Sequence, residues 1–239
     1  MSVCSYLRPD KFRSSPWCCR IFKPWYSRVM APPHSRYERA LQAEGHVVVG
    51  VDEVGCGSLA GPVVAAAVEL FSSARLPGLN DSKLLTPLKR ERLFEAICRQ
   101  KIRWSVGLAT VEEVEQLNVR QAGLVAMRRA VERFSDVTYA LVDAWTIPGL
   151  KIKQRGIIHG DRIARSIAAA SVVAKVVRDS YMSSLDLLFP AYGFRSHKGY
   201  GTRAHIDALR KNGPSSLHRR TFIEGIMTAH SSTLSSESL

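Results

Sequence analysis

Apolar residues alternate with polar ones, or run on continuously, in short segments bounded by polar residues and glycine, a pattern typical of strands in a packed sheet. Strands are predicted at residues 46–53, 62–70, 102–110 and 137–144, with 157–160 as a weaker fifth. Short connections join the first three of these segments. We therefore predict an antiparallel meander that is extended by βαβ-type additions, which makes a mixed α/β sheet.

Helical periodicity lies between and after these segments, and polar caps mark where several helices begin. The N-terminal signals are Thr86 before Pro87, Thr110 with Glu113, and Asn118 with Gln121. The last two have the spacing of a capping box. The longest helical segment, RSIAAASVVAKVVRDSYMSSLDLL, follows Asp161 and is rich in Ala and Ser. Such small side chains let a helix lie close against a sheet.

A chain of 239 residues is long enough to bury a full core in one domain, which we assign to residues 30–230. Residues 1–29 carry six Lys or Arg against one acid and show no apolar periodicity. They are expected to be a basic extension, either a disordered tail, a transit-like leader, or sequence upstream of a true start at Met30, which we favour. The final segment, 231–239, is too polar to pack and is expected to be disordered.

The net charge points to a polyanionic partner. The chain has 34 Lys and Arg against 21 Asp and Glu, a formal net charge of +13. Nucleic acid is the leading candidate and an anionic membrane surface the alternative. No apolar run reaches the ~18 residues of a membrane span. The five cysteines show no CxxC spacing, which favours a reducing, cytoplasmic location.

The C-terminal part, from Tyr192 onward, is dense in Arg, Lys, His and aromatic residues and is punctuated by glycine. One interpretation is a basic face with stacking groups for nucleic acid. The other is a solvated, charged helical cap on the domain. The segment by itself does not separate the two.

Acids stand at positions where strands should end. Asp52 and Glu53 close the first strand ahead of a glycine-rich turn, and Asp143 ends another strand, so Asp52 and Asp143 can project to one edge of the sheet. Asp161 precedes the long helix, where an ordinary N-cap is the simplest role. Four acids without a His or Cys cluster suit Mg²⁺ or Mn²⁺ and not zinc. With the basic charge, they favour phosphoryl transfer on nucleic acid assisted by paired ions.

A dinucleotide-binding loop is the competing interpretation of GCGSLAG. Its spacing is GxGxxxG, and two carboxylates directly ahead of the turn would repel a pyrophosphate. This interpretation is therefore the weaker one.

Several motifs, in order along the chain, resemble those of the ribonuclease HII family. They are GVDEVGCGSLAGPVVAAAV, LNDSKLL, VDAWTIPGL, GDRIARSIAAASVVAKVVRD and HKGYGTRAH, within about residues 45 to 225. The resemblance implies a ribonuclease H-like mixed sheet flanked by helices, with a helical C-terminal subdomain. It implies cleavage of the RNA strand of RNA/DNA hybrids and of single ribonucleotides embedded in duplex DNA. We expect a monomer.

The resemblance also implies roles for individual residues. Asp52, Glu53, Asp143 and Asp161 match the metal-binding catalytic acids, which are expected to hold two Mg²⁺ or Mn²⁺ ions. The expected substrate-binding residues are Gly55, Cys56 and Gly57, whose backbone meets the ribonucleotide 2′-hydroxyl, Tyr200, which packs on that sugar, Lys83, which meets a phosphate, and Lys198. The 2′-hydroxyl is the group that distinguishes RNA from DNA.

Three positions depart from the family's usual pattern: Cys56 replaces an arginine, Ser58 a proline, and Ala144 a common glycine. None of these changes removes a metal ligand, but a neutral thiol cannot replace a guanidinium. Two alternatives stay open. One is another nuclease or integrase built on the same core, and the other is a nucleic-acid-binding protein without catalysis.

Overall fold

A computed structural model of the protein describes residues 31–234. Its strands are β1 Val48–Val54, β2 Val63–Val68, β3 Trp104–Ala109, β4 Tyr139–Asp143 and β5 Lys153–Ile157. They form one sheet in the order β3-β2-β1-β4-β5. β1 to β3 are an antiparallel meander, whereas β4 pairs in parallel with both β1 and β5. The predicted mixed sheet is confirmed.

The fifth strand was predicted too far along the chain. Of the predicted residues 157–160, only Ile157 belongs to β5, and Gly160 already begins a helix. β5 reads KQRGI and is an edge strand, in which only Ile157 is fully buried. An edge strand with mostly polar residues has little apolar pattern, which is why the sequence signal fell on its last residue.

The helices are α1 Arg36–Ala43, α2 Pro87–Arg99, α3 Val111–Leu117, α4 Val119–Val131, α5 Gly160–Ile163, α6 Arg165–Leu185, α7 Phe194–His197, α8 Arg203–Asn212 and α9 Arg220–Leu234, with a 3₁₀ turn at Ser82–Leu84. Thr86 caps α2, Thr110 and Glu113 form the capping box of α3, and the Asn118 side chain caps α4. These three predicted helix starts are confirmed.

The core has a helix layer on each face of the sheet. Val49 and Val51 of β1 pack in the cluster that includes α4, whereas Gly50 points to α6. A Cβ at Gly50 would lie 2.1 Å from the carbonyl carbon of Ser166, so only glycine permits this approach of α6 to the sheet. Alanines 168–170 of α6 are fully buried. The predicted close packing of the small-residue helix is confirmed.

The C-terminal segment packs against the end of α6 in a small separate cluster. Tyr192 and Phe194 are buried there with Met182 and Leu185 of α6. These two aromatic residues are therefore core residues and cannot be stacking groups for nucleic acid.

The two chain ends mostly lie outside the described residues. α9 continues to Leu234 and so includes the first four residues of 231–239, where disorder was predicted. Residues 1–29 and 235–239 are not described, so the expectations for them stay predictions. No helix within residues 31–234 is both long enough and apolar enough to cross a bilayer.

Candidate active site

The four predicted metal-binding acids lie at one end of the sheet. Asp52 and Glu53 are near the end of β1, and Asp143 ends β4, its parallel neighbour. Asp161 lies in α5 just beyond β5, and the N–H of Gly160 donates to Asp143 Oδ1 at 2.7 Å. The parallel register is what brings strand ends from distant parts of the chain together.

Asp161 is not the N-cap of the long helix, as its simplest role would have been. Ala164 takes that position and has no side-chain cap. Asp161 is instead buried in the single-turn helix α5, at 5% exposure. The charges of Asp81 and Asp143 act on its carboxylate, which places Asp161 in the acidic site.

The site concentrates uncompensated negative charge. Burial raises the pKa of Asp52 well above its usual range, and the charges of Glu53 and Asp143 raise it further. Burial followed by repulsion from Asp143 likewise raises the pKa of Glu53. Burial also raises the pKa of Asp161. Each shift means that the ionised carboxylate lacks sufficient positive partners.

One lysine offsets part of this charge. Burial lowers the pKa of Lys83, but the carboxylates of Asp52 and Asp81 outweigh that effect and raise the pKa above its ordinary value. Lys83 sits in the 3₁₀ turn, whose cap is Asp81, and its N–H donates to Asp81 Oδ1 at 2.9 Å. Asp81 is fully buried and pairs with Arg162 at 3.2 Å. Sequence reasoning singled out Lys83 but missed Asp81.

These carboxylates fit a hard divalent cation. All four offer oxygen donors, and the raised pKa values of Asp52, Glu53 and Asp161 indicate charge that a cation would neutralise. No group of three or more His, Cys, Asp or Glu in the described part of the chain is already arranged to hold an ion. Mg²⁺ does not require such a cage, since it usually binds through one or two carboxylates, waters and substrate phosphates.

The glycine turn follows β1 directly. Gly55 has φ +96°, and a Cβ there would lie 2.3 Å from Nε of Arg178, so both conformation and space require glycine. Gly57 is exposed, and its position has open space around it. Ser58 forms an antiparallel bridge with Tyr200. The structure therefore places the predicted turn beside the predicted tyrosine.

A buried arginine fixes the backbone around this turn through hydrogen bonds. Arg178 of α6 has no solvent exposure and donates to the carbonyls of Pro62 and Lys198 at 3.0 Å each. It also donates to Ser58 Oγ at 2.9 Å. Sequence reasoning missed this residue. Arg178 follows Ala174 by four residues and so lies on the same, buried side of α6. A single charged residue on the apolar side of a helix is the signal that could have marked it.

A second fully buried guanidinium, that of Arg219, donates to the carbonyls of Cys56 at 3.1 Å and Gly61 at 2.7 Å. Burial lowers the pKa of Arg219 to about 10, which leaves it charged at neutral pH. The thiol of Cys56 lies 3.7 Å from Glu53 Oε1, and burial raises its pKa to about 12. Cys56 is thus a neutral, packed side chain, and its carbonyl is what Arg219 fixes.

A relay of buried histidines holds the backbone of Tyr200. The N–H of Ser215 donates to His218 Nδ1 at 3.0 Å, which leaves the proton of neutral His218 on Nε2. His218 Nε2 lies 3.1 Å from His205 Nε2, and His205 Nδ1 lies 2.9 Å from the carbonyl of Tyr200. With both rings neutral, His218 Nε2–H donates to His205 Nε2, and His205 Nδ1–H donates to the carbonyl of Tyr200. Protonation of either ring would place two N–H groups against each other or leave the N–H of Ser215 without an acceptor.

The predicted lysine Lys198 is occupied by protein groups. Its Nζ donates to Ser183 Oγ at 2.5 Å and to the carbonyl of Arg195 at 2.6 Å. The amine of Lys175 lies 4.8 Å from the centre of the Tyr200 ring. Contact between Lys198 and substrate stays a prediction.

Two solved structures share the fold. Ribonuclease H2 from Pyrococcus horikoshii OT3 matches with a TM-score of 0.64 at 25% identity, covering 77% of this chain and 98% of that one. Bst-RNase HIII in complex with Mn²⁺ matches with a TM-score of 0.60, covering 78% and 69%, and at 17% identity it shows the fold alone. The sheet and its acidic end define a protein of the ribonuclease H class.

Sequence comparison narrows this class. The family model for ribonuclease HII matches residues 49–224. Ribonuclease HII of Desulfitobacterium hafniense (strain DSM 10664 / DCB-2) is 49% identical over 209 residues, 85% of this chain and 80% of that protein. The chain belongs to the ribonuclease HII family and is a ribonuclease, so the resemblance seen in its motifs is confirmed.

Proposed function

We propose that the chain is a divalent-metal-dependent endoribonuclease that hydrolyses the RNA strand of RNA/DNA hybrids and cuts at single ribonucleotides within duplex DNA. The observation that carries this proposal is that the acidic end of β1 and β4 adjoins a glycine turn bridged to Tyr200. Cleavage 5′ of the ribonucleotide would leave 3′-hydroxyl and 5′-phosphate ends. The monomeric state and the cytoplasmic location stay predictions.

The metal would be held by Asp52, Glu53, Asp143 and Asp161, whose oxygen donors suit Mg²⁺ or Mn²⁺. When bound, two such ions supply an activated water and stabilise the leaving oxygen. Mn²⁺ is the ion in the Bst-RNase HIII structure that shares the fold.

The remaining groups bind and orient the substrate. Lys83 interacts with the acids and is positioned to meet a phosphate that approaches them. The exposed backbone at Gly57 allows close approach of a sugar, and the neighbouring Tyr200 ring offers a face for it to pack on. A deoxyribose lacks the 2′-hydroxyl, so this edge would discriminate RNA from DNA.

The test compares three labelled duplexes of one sequence: all DNA, DNA with one ribonucleotide, and an RNA/DNA hybrid. With Mg²⁺ or Mn²⁺ we expect cleavage of the last two, 5′ of the ribonucleotide, and none in EDTA. Asp143→Asn serves as the inactive control. Equal cutting of the all-DNA duplex would indicate another nuclease, and binding without cleavage in either metal would indicate a non-catalytic protein.

A further inference from the structure

An exposed aromatic residue stands next to the acids and carries a cation on its ring. Trp145 follows Asp143 by two residues, and its side chain is 49% exposed. The guanidinium carbon of Arg120 lies 3.9 Å from the centre of the Trp145 ring. A guanidinium stacked in this way keeps its N–H edges free to donate to an oxyanion.

The pair borders the acidic site on the α4 side. Arg120 lies one helical turn before Gly123, and a Cβ at Gly123 would lie 3.7 Å from Cγ of Glu53. Tyr200 instead lies near Lys175 and Arg178 of α6, which covers the opposite face of the sheet. The pair and Tyr200 therefore flank the acids from the two helix layers.

The loop that presents Trp145 is fixed by the protein. Ala144 turns the chain with a left-handed φ of +56°, and the N–H of Trp145 donates to the carbonyl of Asp143 at 2.6 Å. Ile147 is buried, and both its N–H and its carbonyl are bonded to the Gln154 side chain, at 2.6 and 2.8 Å. A loop anchored at both ends holds the indole in one place.

We propose that Arg120 and Trp145 form a second contact for the nucleic-acid duplex, in which Arg120 meets a backbone phosphate and Trp145 packs against the adjoining sugar. The acids repel a phosphodiester until metal binds, so a cation at their rim offsets that repulsion and guides the strand. The stacked ring restricts the guanidinium, which lowers the entropic cost of the contact. This inference rests on the proposed function and adds a contact away from the 2′-hydroxyl.

The experiment measures affinity for an all-DNA duplex in EDTA at several salt concentrations. Arg120→Gln should flatten the slope of log K against log salt by about 0.9 and weaken binding roughly three- to tenfold at low salt. Trp145→Ala should weaken binding in the same direction, and Trp145→Phe should restore most of it. Because no cleavage is measured, the result is independent of the proposed activity.

Arg133→Gln is the matched control. Arg133 is also exposed, but it lies after α4 beside Trp104, at the opposite end of the sheet from the acids. Its replacement should leave both the slope and the affinity for the duplex unchanged. If Arg120→Gln and Arg133→Gln show the same slope as the unaltered protein, the contact does not exist. Cleavage of the single-ribonucleotide duplex by the same preparation reports separately on the proposed function.

Discussion

Asp52 illustrates the conflict between stability and chemistry at a single residue. Its pKa is raised by burial and by Glu53, so the folded state prefers the protonated form more than the unfolded state does. The stability linked to this group is therefore present below its ordinary pKa and is lost as the pH rises through the raised value. At neutral pH the ionised carboxylate destabilises the metal-free fold.

Replacing Asp52 should separate the two effects. Asp52→Asn is expected to reduce cleavage at least roughly a hundredfold to a thousandfold, because it would remove one of the proposed metal ligands, while hybrid binding in EDTA is retained. The same change should raise the free energy of unfolding in EDTA at pH 7.5, measured by urea titration. Asp136→Asn, at an exposed site paired with Arg103, is the control and should keep full cleavage. Near-normal cleavage by Asp52→Asn would remove Asp52 from the site.

Ala144 adopts a backbone conformation that glycine adopts more readily. It has φ +56°, a region that costs a residue with a Cβ about 1 to 2 kcal/mol. Ala144→Gly should remove this strain, less the ~0.5 to 1 kcal/mol by which glycine favours the unfolded chain. We expect a net gain of up to about 1 kcal/mol in the free energy of unfolding. Ala40→Gly, in the exposed middle of α1, should instead lose ~0.5 to 1 kcal/mol; equal losses in both variants would contradict the strain argument.

At the scale of elements, the sequence predicted the strands that have a clear apolar pattern and the helices that begin at a capping residue. β1 to β4 lie in segments whose apolar residues are continuous or alternate, and Thr86, Thr110 and Asn118 cap helices, so the sequence predicted these elements. β5 is polar and lies at the edge, so its position was missed. The single turn α5 is separated from α6 by an extended Ala164, and no pattern marks that break, which is why Asp161 resembled an N-cap.

The sequence predicted those site residues whose position is set by the end of a strand. Parallel pairing brings Asp52 and Asp143 to one edge, and that rule needs no coordinates. The supports of the site depend on contacts between distant segments, such as Arg219 with Gly61 and His205 with His218. Charged and polar residues in a basic segment give no sign of burial, so sequence reasoning treated that segment as a surface.

The C-terminal helices should be acid-sensitive because of the histidine relay. Burial, reinforced by His205, lowers the pKa of His218 to about 4. Because the pKa of His218 is lower in the folded state, its contribution to the free energy of unfolding is full above about pH 6.5 and is lost as the pH falls toward 4. The loss is roughly 2 kcal/mol at pH 5. His218→Gln should shrink the difference in unfolding free energy between pH 7.5 and pH 5, since an amide can donate to His205 without titrating. The same pH dependence in both proteins would exclude His218 as its source.

At the scale of the whole molecule, the family match does not include the first 29 residues. It begins at residue 49, and the five strands within residues 31–234 lie between residues 48 and 157. A chain that begins at Met30 is therefore expected to show an unchanged melting temperature and normal cleavage of the hybrid. Thermal denaturation and a cleavage assay of both chains check this. A clear drop in either quantity would show that residues 1–29 contribute to the fold or to its activity.

The guanidinium of Arg219 has a consequence for how the enzyme is made. It reaches the turn from 163 residues away, at Cys56, and 158 residues away, at Gly61. As the chain leaves the ribosome, the segments that bear the four acids are complete well before Arg219 is synthesised. The edge that would read the sugar is braced only when this last part arrives. A nascent chain would thus carry its acidic residues before it could tell RNA from DNA.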